Sequence, residues 1–473
     1  VSKRSLIAAV LASSAAACAV GPDYEQPEVV VPAEFASIST STIVQDAVHV
    51  TWWRLFDDPV LEDLIARAAA SNLDLEVASA RLREARALRW SSTLDLGPVA
   101  QASAGYTRTV LPQTTFQGAS YDIRDREIYD AGFDATWELD VFGRLRRALE
   151  ANDAVVGAAL AARRDVTVSV LAEVARNYFD LRGAQAQLEV ARRNLDNQRR
   201  TAELTLSRLE GGRGTDLDVA RAQAQLHATR ATLPVLEALA ARAAHRLGVL
   251  LGDPPSFHVA RLDRPATLPD LPERLTIGKP ADLLARRPDI RIAERQLHSA
   301  TARIGVARAD YFPRLTLHGS IELNAARISA VGYGGAEAFS FGPRLTWAAF
   351  DLGHVIARET AAEERAAAAF AQYRRAVLLA LEETENSLVG FSAERARRDA
   401  LRDATRETVR AAALARERFN DGVADFLTVL DAERRLLEAQ DALAASEART
   451  LSNLVLVYKA LGGGWEPFEP VEE

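Results

Sequence analysis

The residues that could do chemistry in this 473-residue chain are few and poorly grouped. The seven histidines, His49, His227, His245, His258, His298, His318 and His354, are scattered without metal-ligand spacing. The pairs Glu363-Glu364 and Glu382-Glu383 resemble acid–base couples, but both lie in arginine-rich helical text and read as solvated helix surface. Gly462-Gly463-Gly464 follows a helix and precedes Trp465, which makes it a helix stop, not a phosphate cradle. No phosphate loop, dinucleotide fingerprint or nucleophile elbow occurs. The expectation is a protein that is no enzyme and uses no cofactor or metal. Two other candidates stand out. One is the single cysteine, Cys18. The other is FLTVLDAERRL, where Leu427, Asp431 and Arg434 are four and three apart and so share a helix face.

Cys18 follows Lys3, Arg4, an apolar run from Leu6 to Leu11 and the small residues Ala15-Ala16-Ala17. Residues 1–17 therefore read as a secretory signal. A lone cysteine forms no intrachain disulfide, and its place after the cleavage motif suits a lipid-modified cysteine or a passive thiol. No methionine occurs, so Val1 is expected to be an initiator read from an alternative start codon. A net charge of -8 and a pI near 5.6 argue against nucleic-acid binding.

The elements that position these residues come as a duplication. Leu73-Asp74-Leu75, Ala78, Leu82, Ala85 and Pro98 reappear 215 positions later as Pro288-Asp289-Ile290, Ala293, Leu297, Ala300 and Pro313. Trp137 and Gly143 recur 210 positions later as Trp347 and Gly353, and Arg208, Gly212 and Val219 as Arg418, Gly422 and Val429. A repeat of this length is a domain duplication. The expected order is a tether at 18–56, with little core of its own from Gly21 to about Thr51, a first repeat at 57–252, a proline-rich linker at 253–281, a second repeat at 282–465 and a tail at 466–473. Asp58 and Pro59 should open the first helix, with a second over 73–94. Val174, Leu181, Leu188, Leu195, Ala202 and Leu209 keep a spacing of seven in a proline-free stretch from Arg144. That predicts a helix on the order of 100 Å long, returning after Gly211 to Gly214 in coiled-coil fashion. The second repeat predicts the same hairpin through Gly422.

Strands are expected at about 98–110, 129–141, 313–324 and 338–350. Ala131, Phe133, Ala135, Trp137 and Leu139 alternate with polar or small residues, as do Leu315, Leu317, Ile321 and Leu323. Such runs fit tilted membrane strands or one face of a soluble sheet. After the signal no stretch is long and apolar enough for a membrane helix, so any span must be β. Four strands cannot close a barrel, and open edges are not tolerated in lipid, so several chains would have to share one.

RRPDIRIAE followed by IGVARADYFP, with CAVGPDYEQP, WWRLFDDPVLEDLI, WELDVFGRLRRALEA and ALGGGW, resembles the outer membrane factors of tripartite efflux pumps, the TolC and OprM class and its NodT-like lipoproteins. The resemblance implies a mainly α-helical chain with a membrane β portion: a homotrimer sharing a barrel of twelve strands and a periplasmic helical tunnel. It implies lipidation at Cys18, with Ala19 giving no inner-membrane retention signal, and hence a place in the outer membrane, held also by its lipid. The partners it implies are a periplasmic adaptor and an inner-membrane transporter, the chain being the passive exit duct for drugs or other small molecules. Arg208, Gly212, Arg418 and Gly422 would mark the adaptor-docking tips. Leu427 would be an apolar ring, Asp431 an acidic ring and Arg434 a latch of the periplasmic gate. The first repeat has Leu217, Arg221 and Ala224 at the equivalent places. The competing expectation is a periplasmic adaptor or scaffold lipoprotein with a coiled-coil hairpin.

Overall fold

The structure is a computed structural model that describes residues 19–36, 43–44, 49–118, 120–263, 267–272 and 275–469. Cys18 and the signal expected at 1–17 lie outside the described residues. The first repeat comprises α1 (Pro59–Ser71), α2 (Leu73–Leu94), β1 (Val99–Val110), β2 (Asp125–Glu138), α3 (Arg144–Glu210) and α4 (Asp216–Leu250). The second comprises α5 (Pro280–Arg286), α6 (Pro288–Arg308), β3 (Arg314–Ala325), β4 (Glu337–Thr346), α7 (Leu352–Asn420) and α8 (Phe426–Ala460). Among the described residues no helix is long and apolar enough to cross a membrane.

Local chemistry sets these boundaries. The Asp58 carboxylate accepts the Val60 and Leu61 amides at 2.9 and 3.1 Å, Pro59 occupies the first turn, and Leu61, Leu64, Ile65 and Ala68 are buried. Thr215 and Asp425 cap the return helices α4 and α8 through the Asp218 and Thr428 amides. β2 starts at Asp125, four residues before the expected start, because the ladder runs on to Val110 opposite Asp125. β4 stops at Thr346, short of the expected 350.

Two compact units form, and each takes pieces from both repeats. Among the described residues, one comprises 19–28, Arg81–Leu160 and Ile292–Arg374 and holds the four-stranded sheet. The other comprises Val29–Ala80, Ala161–Arg291 and Arg375–Glu473 and holds both hairpin ends. Just beyond the segment expected to have little core of its own, the last residues of the expected tether are buried. Trp52, Trp53 and Phe56 are buried, Trp52 stacks on Tyr458 with centroids 5.7 Å apart, and Phe56 meets Phe179 edge-on at 4.9 Å. Three large aromatic residues in five positions bury more apolar area than the polar residues around them suggest.

Candidate membrane face, hairpin tips and gate

The four long strands form one antiparallel sheet in the order β1-β2-β3-β4. Opposed residues of an antiparallel pair share a face, so the register sorts the side chains. One face carries the rows Ala102, Phe133, Ile321, Phe339 and Ala100, Ala135, Gly319, Phe341. The other carries Gln101, Asp134, Ser320, Ser340, and Val99, Thr136, His318, Gly342. Among the described residues nothing covers the apolar face: Phe133 is 68% exposed, Ile321 69% and Phe339 85%. A soluble sheet would hide such side chains against a second layer, so the membrane reading of the alternation is the better one.

Aromatic residues bracket the apolar face. Tyr106 and Tyr129 pack at 4.7 Å near one end, and Trp137 and Trp347 stand at the other. Eight residues separate Tyr129 from Trp137 on β2, about 27 Å along the strand, which matches the apolar band of a tilted membrane strand. Each indole is fixed: Trp137 Nε1 donates to the Leu96 carbonyl at 2.8 Å and Trp347 Nε1 to the Tyr311 carbonyl at 2.9 Å. The two bonds are equivalents, since Leu96 and Tyr311 are 215 apart and the tryptophans 210 apart. The hairpin registers repeat as well, with Val99 opposite Thr136 becoming Arg314 opposite Thr346 under the same shifts. β1 and β4 remain as open edges.

The helical hairpins meet along a row that apolar patterning does not reveal. Asp180, Gln187, Asn194, Thr201 and Arg208 stand seven apart on α3, and each bonds to the second hairpin. Their partners are Ser452, Asp441, Gln440, Glu433 and the Phe419 carbonyl. Glu433, only 3% exposed, also takes Arg416 Nε at 2.8 Å. Sequence reasoning passed over it in favour of its exposed neighbours. On α4 a buried row runs through Ala222, Thr229, Leu236 and Ala243, while Val219, Leu226 and Leu233 are half-buried.

The two tips are built alike. Arg213 N donates to Arg208 O and Val423 N to Arg418 O, both at 2.8 Å. Gly212 and Gly422 have φ of +68° and +75°, which favours glycine, with open space where a Cβ would stand. The arginines differ: Arg208 lies over the Phe419 ring at 4.0 Å, whereas Arg418 is exposed. On α8, Leu427 is 48% exposed. Asp431 one turn on receives Arg434 Nη2 at 3.0 Å and Arg435 Nε at 2.8 Å. The three proposed gate residues thus share a solvent-facing stripe, with the acid already partnered in its own helix.

Comparison with known proteins agrees with this geometry. A nodulation protein T of Rhizobium leguminosarum bv. trifolii is 32% identical over 458 residues, 95% of each chain. The toluene efflux pump outer membrane protein TtgF of Pseudomonas putida is 30% identical, covering 98% of each. Among solved structures, the outer-membrane channel OprN superposes with a TM-score of 0.88 at 43% identity, covering 95% of this chain and all of that one. The open state of the Neisseria gonorrhoeae MtrE outer membrane channel gives 0.81 at 30% identity, covering 95% and 99%. The outer membrane efflux protein family matches residues 64–253 and 280–463, one span over each hairpin. With the amphipathic sheet, the paired hairpins and these matches together, the chain belongs to the outer membrane efflux protein family.

Proposed function

We propose that the chain is the passive exit duct of a tripartite pump of the resistance-nodulation-division type, carrying drugs or other small molecules across the outer membrane. It works as a homotrimer with a periplasmic adaptor and an inner-membrane transporter. The observation that carries the reading is a sheet with an uncovered apolar face and two unpaired edges, a structure that lipid accepts only when closed by other copies. An adaptor or scaffold has no use for such a face.

The duplication predicts how the edges meet. Asp130 opposite Asn324 within the chain maps, by the repeat shifts, onto Ser340 opposite Thr109 of a neighbouring copy. Both stand on the polar face. Thr109→Cys combined with Ser340→Cys should give oxidant-dependent dimers and trimers in outer membranes, and Ser103→Cys with Ser340→Cys should not. Monomers alone from the first pair would sink the reading.

In the trimer Leu427, Asp431 and Arg434 form the periplasmic constriction, and the turns at Gly212 and Gly422 meet the adaptor. Support comes from their shared exposed stripe and from the matching tip geometry. Leu427→Ala should raise single-channel conductance in planar bilayers and Asp431→Ala should weaken divalent block from the periplasmic side. Parental behaviour in both would move the constriction elsewhere. The anchor rests on the sequence: Cys18→Ala should abolish incorporation of labelled fatty acid, and undiminished labelling would remove Cys18 from the proposal.

A further inference from the structure

The junction between the start of α3 and the end of α6 is filled by the chain's own N-terminal segment. Val20 N donates to the Phe142 carbonyl at 3.1 Å. Arg147, 5% exposed, donates to the carbonyls of Val20 and Gly21 and to Asp23 Oδ1 at 2.7 Å. Tyr24 stacks on His298 at 4.1 Å and donates to Glu294 Oε1. The segment lies so close that a Cβ on Gly305 would stand 2.8 Å from the Val20 carbonyl oxygen, and one on Gly21 would stand 2.4 Å from Gly305 Cα. Only a small-residue face admits main chain at this distance, and α6 with the turn that follows it supplies one in Ala302, Gly305 and Ala309, all buried.

The duplication implies a second junction of the same kind, between the end of α2 and the start of α7. Residues Ala87, Trp90 and Leu94 of α2 occupy the places of Ala302, Gly305 and Ala309, and all are exposed, Trp90 at 60%. On α7, Gly353 and Ala357 take the places of Gly143 and Arg147; both are exposed, and a Cβ at Gly353 would meet nothing within 4 Å. A closed ring of two-repeat chains has two such junctions per chain but one N-terminal segment. The second junction, lying between copies, must be filled by something else.

We propose that Trp90 of one copy packs over Gly353 and Ala357 of its neighbour and fills the volume that residues 19–24 fill inside each chain. The exchange is complementary. Where α6 has glycine and receives a segment of main chain, α2 has the largest side chain and receives none. Where α3 has an arginine to hold that segment, α7 has a methyl group. An indole face against a glycine-alanine surface gives close apolar contact without a polar partner to satisfy. The proposal rests on the ring of copies described above, continues the β4-to-β1 edge along the same boundary, and assigns the occupant as a second copy of this chain.

Trp90→Cys with Ala357→Cys in the full-length chain should cross-link copies on oxidation, since the equivalent positions inside the chain are in contact, with a Gly305 Cβ 2.8 Å from Arg147 Cγ. Each single variant controls for Cys18. The Thr109 and Ser340 pair is run in parallel. Edge cross-links without cross-links from 90 to 357 would overturn the proposal while leaving the trimer intact; absence of both would fault the trimer itself. Trp90 is exposed in the single chain, so Trp90→Gly should spare folding of each copy but shift dissociation of heated trimers to lower temperature, with Trp90→Phe restoring it. Trimers of Trp90→Gly as heat-resistant as the parent would count against the assignment, and would point to Trp90 facing lipid headgroups or adaptor instead.

Discussion

The two return helices end in the same place by different means. In the first repeat Asn72 Nδ2 donates to the Leu250 carbonyl at 2.8 Å, while its Oδ1 accepts the amides of Asp74 and Leu75. At the equivalent point of the second, Arg287 Nη1 donates to the Ala460 carbonyl at 2.6 Å. Both carbonyls belong to the last residue of a long helix, where main-chain acceptors lack partners. The neutral amide needs nothing more. The guanidinium is buried and is therefore surrounded by acids, with Asp289 at 2.8 and 3.0 Å and Glu383 at 2.6 Å. Glu173, the first-repeat counterpart of Glu383, takes Arg246 of its own return helix instead. One geometric need, closing a helix end against the corner of its own repeat, is met once by a hydrogen bond and once by a charge cluster that ties three segments.

This contrast can be broken by substitution. Arg287→Ala should cost the most, about 2–3 kcal/mol, because a buried guanidinium with charge-assisted bonds to the Ala460 carbonyl, Asp289 and Glu383 is lost. Asn72→Ala should cost about 1–3 kcal/mol, the loss of one buried bond and a helix cap. Thermal denaturation in detergent would rank them, and equal losses would mean that the charges at Arg287 contribute nothing beyond the shared bond. The smallest effects belong to the tips. Arg208→Ala should lose about 0.5–1 kcal/mol with its seat over Phe419, and Arg418→Ala should leave stability unchanged. A drop in adaptor cross-linking confined to Arg418→Ala would assign docking to the second tip; a drop confined to Arg208→Ala would reverse that assignment.

What the sequence disclosed was local or periodic. The cap at Asp58, the span of α2 and the alternation around Phe133 and Ile321 depend on neighbours within a few residues, and the structure follows them. The misses share another cause. Trp52 and Trp53 are core because Tyr458 and Phe468 reach them from the far end of the chain. The polar row on α3 is invisible to apolar patterning, although Asp180, Gln187, Asn194 and Thr201 keep the heptad as faithfully as Leu181 and Leu188. Gly305 and Trp90 stand at equivalent positions, yet only the segment lying on one of them explains why they differ. Asp431 was legible as a surface acid, while the burial of Glu433, two residues on, depends on Thr201 and Arg416 from other helices.

That polar row also bears on how the duct can change its bore. Hydrogen bonds between hairpins can be exchanged for bonds to water at a net cost of roughly 0.5–1.5 kcal/mol each, whereas parting an apolar seam costs about 25 cal/mol for every square ångström wetted. The polar contacts between α3 and α8 are therefore wettable, since Gln187, Asn194 and Thr201 can exchange Asp441, Gln440 and Glu433 for water, whereas the apolar cluster of Ala202, Ala222 and Phe426 near the tips resists it. The apolar contacts inside each hairpin resist wetting and hold its two helices together. A dilation along this joint would hydrate the seam and move each hairpin as a pair of helices.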